Sequence, residues 1–166
     1  MNFFMKLKTF LKKDNESNFV DVCIVSSCGG HLTEVDKFYP SFSKYKHIYI
    51  LNDKIKITKA QAKLYHFVSH SERDWKFFLN LYEFFVLFVK FRPKIIISTG
   101  AGPIVPASII GKFFFHTQVI YIETITRIHD LSLTGKLMYY IADDFFCQWP
   151  FLLSKYKKAK LIGPVL

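Results

Sequence analysis

Apolar positions along the chain fall into short β-branched runs separated by longer stretches with helical spacing. Residues 20–25 form the first such run and read as a buried strand, followed by a turn over 26–30. Residues 32–45 read as a helix with Leu32, Val35, Phe38 and Phe42 near one face. Further strands are predicted over 47–51, 65–68, 94–97, 118–122 and 144–148. Helices are predicted over 104–115, 136–142 and 151–157, with Pro106 in the first turn of the one that holds it. Strands alternating with helices in this way predict an α/β fold with a parallel sheet.

Residues 74–91 depart from the pattern. Lys76, Asn80, Glu83 and Lys90 alone break the apolar character, and they fall along one stripe. A helix laid on a sheet needs an apolar stripe of roughly 100°, and this one has far more. A membrane-spanning helix needs about 20 apolar residues, and Glu83 sits in mid-helix, so spanning is the second choice. The preferred reading is a helix packed on the sheet whose outer flank, with Phe77, Phe84 and Phe88, enters a bilayer or a partner. A fully buried core helix is the alternative.

Residues 1–13 place Phe3, Leu7, Phe10 and Leu11 at helical spacing, with Lys6, Lys8, Lys12 and Lys13 between them and no acid. That is a basic amphipathic helix suited to an anionic interface, with Phe3, Phe4, Leu7, Phe10 and Leu11 as its membrane contacts. A frayed, solvated terminus is the alternative. The lysines interrupt any apolar core of a secretory signal. A polar linker over 14–18 completes this segment, and 19–166 then form one domain.

Length and charge narrow the picture. The chain has 166 residues and is 51% hydrophobic, enough for one cored domain. Its net charge of +10 suits an anionic membrane surface, phosphorylated substrates or nucleic acid. Neither zinc-finger spacing nor an RNP-like motif accompanies the charge, so membrane or phosphate is preferred over nucleic acid. Cys23, Cys28 and Cys147 are odd in number and lack CxxC spacing, so no disulfide framework or metal site is expected.

Three places can carry chemistry. Ser26-Ser27-Cys28-Gly29-Gly30-His31 joins the first strand to the first helix, where glycine backbone and a helix N-terminus favour an anion. It is neither GxGxxG nor a Walker A loop. His31 there is a candidate general base or phosphate donor, and a merely packed histidine is the alternative. Ser98-Thr99-Gly100-Ala101-Gly102-Pro103 follows the fourth strand with the same logic, and a tight turn is its alternative. Together, Ser27, Gly29, Gly30, Thr99, Gly100, Ala101 and Gly102 would line one anion-binding crevice suited to a diphosphate. Glu123 ends the fifth strand, where a carboxylate can bind sugar hydroxyls or take a proton. Arg127, Ser132 and Thr134 are nearby candidates for phosphate or sugar contacts, with a solvated surface charge as the alternative for Arg127.

Four blocks in this order, SSCGGH at 26–31, ISTGAGPIVP at 97–106, IYIET at 120–124 and SLTGKLMYYIADDFFCQWP at 132–150, resemble one family. It comprises the accessory glycosyltransferase subunits of bacterial capsule and exopolysaccharide synthesis. Their eukaryotic relative is the anchoring subunit of the dolichol-pathway N-acetylglucosaminyltransferase. The loops also resemble the acceptor half of the peptidoglycan glycosyltransferase MurG.

The resemblance covers residues 20–166 and implies a Rossmann-like parallel sheet with helices on both faces, the N-terminal half of a GT-B glycosyltransferase. It implies an inverting transfer of galactose, glucuronic acid or N-acetylglucosamine to a polyprenyl-diphosphate-linked saccharide. A small donor-binding partner subunit would complete a heterodimer and hold the UDP-sugar, leaving no cofactor in this chain. Gly29, Gly30 and His31 match the family's first loop, Thr99 to Gly102 its second, and Glu123 its acidic position. His31 or Glu123 would act as the base. The chain would sit on the cytoplasmic face of the membrane. The eukaryotic relative has an N-terminal transmembrane helix, whereas residues 1–13 here are too short and basic for one, so peripheral contact is expected. The alternative function is a non-catalytic membrane scaffold that recruits and activates the catalytic subunit.

Overall fold

The structure is a computed structural model that describes residues 19–52, 64–69 and 76–165. The N-terminal membrane contacts expected at Phe3, Phe4, Leu7, Phe10 and Leu11 lie outside the described residues, as do residues 74 and 75 of the expected Phe-rich helix.

Seven parallel strands form one sheet in the order β3-β2-β1-β4-β5-β6-β7. They are β1 (Val22–Ser26), β2 (His47–Leu51), β3 (Tyr65–Phe67), β4 (Ile95–Ser98), β5 (Gln118–Ile122), β6 (Asp144–Cys147) and β7 (Lys160–Leu161). Strands buried on both faces need continuous apolar runs, and Val22 to Val25 and Ile95 to Ile97 supply them. The chain builds outward from β1 through β2 to β3, then returns beside β1 and builds the other way from β4. That reversal puts the carboxyl ends of β1 and β4 side by side, the place where ligands bind in open α/β sheets.

Helices cover both faces. On one face lie α1 (Gly30–Asp36) and α2 (Tyr39–Phe42), which bury Val35, Phe38 and Phe42 against Val22, Ile24, Tyr49, Ile95 and Ile97. The single helix expected over 32–45 is therefore two pieces. Pro40 stands in the first turn of α2, where a missing N–H costs nothing, and the chain bends just before it. The other face carries α3 (Lys76–Phe91), α4 (Ile104–Phe115), α5 (Leu133–Ile141) and α6 (Phe151–Lys155). Helix α4 lies close on the sheet at Gly111, where an added methyl would come 2.7 Å from Ile96 Cδ1.

Helix α3 corrects a sequence expectation. Phe84 and Phe88 are fully buried, not membrane contacts. They stand one turn apart with Asn80, so all three point the same way, onto the sheet. Burying a phenylalanine contributes roughly 1.5–3 kcal/mol, and their rings meet edge to face at 5.7 Å in the core. Phe77 is half-buried. The middle of the polar stripe, Asn80 and Glu83, is turned to Ser69. Asn80 is buried and donates to the Ser69 carbonyl at 2.8 Å and to Glu83 at 2.9 Å. Glu83 accepts from Ser69 N at 2.9 Å and from Ser69 Oγ at 2.7 Å. Among the described residues, no helix is long and apolar enough to cross a membrane.

Candidate functional site

The two glycine loops meet. The first leaves β1 and enters α1 through Gly29, whose φ of 99° a side chain would strain. Gly29 and Gly30 are exposed, Ser27 half-buried. The second leaves β4 through buried Thr99 and Gly100 to half-buried Ala101 and exposed Gly102, then enters α4 through Pro103. Thr99 Oγ1 donates to the His31 carbonyl at 2.9 Å, tying the second loop to the first helix. The His31 ring lies over Gly100, where a methyl group would come 2.6 Å from His31 Cε1. Glycine is required there twice over, because Gly100 also has a φ of 136°. His31 Nδ1 is buried without a hydrogen-bond partner among the described residues. A buried polar atom of this kind calls for an explanation, and a ligand between the loops is one.

The second loop is partly occupied by itself. Ser98 Oγ donates to the Gly100 carbonyl at 2.8 Å and accepts from Gly100 N at 3.2 Å. Ala101 adopts a φ of 81°, a backbone conformation that costs a non-glycine residue energy and that clusters at functional sites.

Glu123 follows β5 as expected, yet it points inward and is fully buried. Its carboxylate accepts from Thr124 N at 3.2 Å and from Ser132 N at 3.3 Å. Gly135 makes room for it, since a methyl there would fall 1.7 Å from Glu123 Oε2. Burial pushes the Glu123 carboxyl up, while hydrogen bonds from Ser132 and Thr124 and the Arg127 charge pull it down. Through these two bonds Glu123 holds the ends of the 124–132 loop together. Ser132 caps α5 by accepting from Gly135 N at 2.8 Å, and Thr134 sits in the same first turn. These two gather near Glu123 rather than at the meeting of His31 and Gly100. Arg127 is exposed on the loop between them.

The profile of a family described as "Oligosaccharide biosynthesis protein Alg14 like" matches residues 69–165, more than half of the chain. The chain belongs to the Alg14-like family. It is 27% identical over 176 residues to a UDP-N-acetylglucosamine transferase subunit ALG14 of Rattus norvegicus, covering 86% of this chain and 82% of the relative. The human subunit of the same name is 26% identical over 89% of this chain and 83% of its own length. That of Schizosaccharomyces pombe is 38% identical over a shorter span, 44% of this chain and 37% of its own length. Among solved structures, a UDP-GlcNAc 2-epimerase of Methanocaldococcus jannaschii superposes with a TM-score of 0.64 over 86% of this chain at 14% identity. The chain spans about half of that structure, 45% of its length. The likeness shows the fold, a GT-B-like Rossmann half.

In this Alg14-like chain, α1 ties the sheet edge together through a residue that the sequence analysis passed over. Buried Glu34 accepts from Ile125 N at 2.7 Å and from Gln148 Nε2. Gln148 Nε2 also reaches the Glu123 carbonyl at 3.1 Å, and its Oε1 accepts from Val165 N at 2.9 Å. Trp149 Nε1 donates to the Ile125 carbonyl at 2.6 Å. The loops after β4, β5 and β6 and the C-terminal segment are thus all fixed to or beside α1. In the sequence Glu34 looks like an ordinary helical surface charge, and nothing local marks it as buried. Among the described residues, no group of three or more His, Cys, Asp or Glu is placed to hold a metal ion.

Proposed function

We propose that this chain is the acceptor-side subunit of a two-subunit inverting glycosyltransferase. The observation that carries the reading is that the two glycine loops meet at the β1–β4 reversal, with His31 resting on Gly100, in a member of the Alg14-like family; the crevice is proposed between them. In this reading the crevice takes the diphosphate end of a polyprenyl-diphosphate-linked saccharide. Gly29, Gly30 and Gly102 are exposed there and let that group come close to backbone. Exposed Arg127 is the side-chain cation offered from the neighbouring loop.

His31 is the base. Its imidazole takes the proton of the acceptor hydroxyl as that oxygen attacks the anomeric carbon of the donor and UDP leaves with the bonding electron pair, held by the partner subunit. A small partner subunit carries the UDP-sugar and closes over the carboxyl edge of the sheet. The relatives named as UDP-N-acetylglucosamine transferase subunits support N-acetylglucosamine as the sugar moved, with galactose and glucuronic acid the alternatives of the capsule and exopolysaccharide setting. The work takes place on the cytoplasmic face of the membrane.

One observation favours a second reading, a scaffold that recruits and activates the catalytic subunit. Of the two residues expected as bases, Glu123 is sealed inside. Co-expression with the small partner separates the two readings, with transfer to a lipid-diphosphate sugar as the assay. The acceptor-side reading predicts that Gly100→Ala, which displaces His31, lowers turnover while the complex still forms. Unchanged turnover in that variant favours the scaffold.

A further inference from the structure

Helix α3 is built inside out at its surface. Its polar residues Asn80 and Glu83 are turned to Ser69, and its solvent side from Phe78 to Val89 is apolar. Phe78 is 71% exposed and Tyr82 67%, with Val86 and Val89 continuing the row. From residue 78 to residue 89 the row runs about 16 Å along the helix. It widens onto α4, where Phe113 is 72% and Phe114 62% exposed, and Phe85 joins the two helices edge-on to Phe114 at 5.8 Å. Contiguous exposed apolar surface of this kind marks an interaction site.

Charge decides among the occupants. Helices α3, α4, α5 and α6 contain one carboxylate, Glu83, and it is hydrogen-bonded to Ser69. The cations Lys90 and Arg92 are exposed at the C-terminal end of α3, and His116 at the end of α4. The helices of a second copy would bring no free carboxylate to meet these cations. An apolar row with a tyrosine in it and cations at its end complements an anionic bilayer, which holds aromatics at headgroup depth and draws lysine and arginine to its surface.

We infer that the outer face of α3 and the C-terminal turn of α4 lie in the interface of an anionic bilayer, through Phe78, Tyr82, Val86, Val89, Phe113 and Phe114. The buried Phe84 and Phe88 take no part. The inference deepens the proposed function and rests on it in one respect: a subunit that takes a lipid-linked acceptor must meet the bilayer that holds it. Both helices begin at the carboxyl edge of the sheet, so the Phe78 end of the row is the end nearer the crevice.

The test is sedimentation of the full chain with vesicles of phosphatidylcholine, with and without phosphatidylglycerol. Tyr82→Glu combined with Phe113→Glu is expected to lower partition onto the phosphatidylglycerol vesicles by about tenfold or more. Its melting temperature and its binding to the partner subunit stay as in the wild type. Lys44→Glu makes the same change in net charge on the opposite face of the sheet and is expected to keep most of the binding. Should the double variant melt early, Phe78→Glu alone gives the same reading. Unchanged partition overturns the inference, as does an equal loss in Lys44→Glu. Intact vesicle binding with release of the partner subunit, or with dissociation of a dimer, also overturns it and assigns the face to a protein. Transfer to a short-chain, water-soluble acceptor is expected to be unaffected by the double variant. Failure of that assay in the wild type strikes the proposed function and leaves the bilayer face standing.

Discussion

At Gly135 the chain tolerates no side chain, because the Glu123 carboxylate already fills the space. Gly135→Ala is expected to cost about 1–3 kcal/mol, read as a lower melting temperature, since overpacking a closed site forces neighbours off their rotamers. Glu123 gives a second, independent prediction. Its native pKa is raised above the ordinary value of 4.5, so the folded chain holds a proton that the unfolded chain has released. The stability this supplies is complete below pH 4.5 and is lost as pH rises through the native value. Denaturation of the wild type and of Glu123→Gln across that range checks it, and the variant is expected to show the shallower decline. Neither residue's role was legible in sequence. Glu123 was readable as a strand-end carboxylate, but whether it faces ligand or core depends on Gly135, twelve positions on, in a helix whose start was itself predicted late.

Among the elements, glycine and β-branched residues made much of the sheet readable. The predicted 47–51 and 118–122 strands and the 104–115 helix match β2, β5 and α4. Helix α5 begins at Leu133 rather than 136 because Ser132 caps it, and β7 was missed because two residues, one of them a lysine, carry no periodic signal. The orientation of α3 failed for a physical reason. Polar residues on one helical stripe normally mark the solvent side, but Ser69 lies close enough to bind Asn80 and Glu83, and no helical pattern can announce a partner in a preceding loop. A pair of substitutions about one and two-thirds turns apart exposes the inversion. Phe84→Ala is expected to cost about 3–5 kcal/mol, and Phe78→Ala to stay within about 0.5 kcal/mol, in urea unfolding of the same chain. Equal costs would return α3 to the orientation its pattern suggested.

At the level of the whole molecule, α1 acts as the bolt of the sheet's carboxyl edge. It meets the β4 loop at Gly100 and the β5 loop at Ile125, and it reaches the C-terminal segment through Gln148. Removing Glu34 leaves the Ile125 N–H without its acceptor and takes one of two acceptors from the Gln148 amide. Glu34→Ala is expected to destabilise the fold by about 1–3 kcal/mol or more, visible as early amide exchange in the 124–132 loop. That the two glycine loops meet was legible in the sequence, because both follow strands of one parallel sheet. That a second half closes over them is implied only by resemblance, since one Rossmann-like sheet looks the same with or without it.

The account stands most directly on His31. The decisive measurement is steady-state transfer by the reconstituted pair, with His31→Ala compared with wild type on a polyprenyl-diphosphate-linked acceptor. If His31 is the base at the meeting of the two loops, kcat falls by about 10²- to 10⁴-fold while the pair still forms and acceptor KM changes little. Wild-type kcat in His31→Ala, with the complex intact, would contradict the catalytic half of the proposal and leave this chain as the anchor of an enzyme whose chemistry lies in its partner.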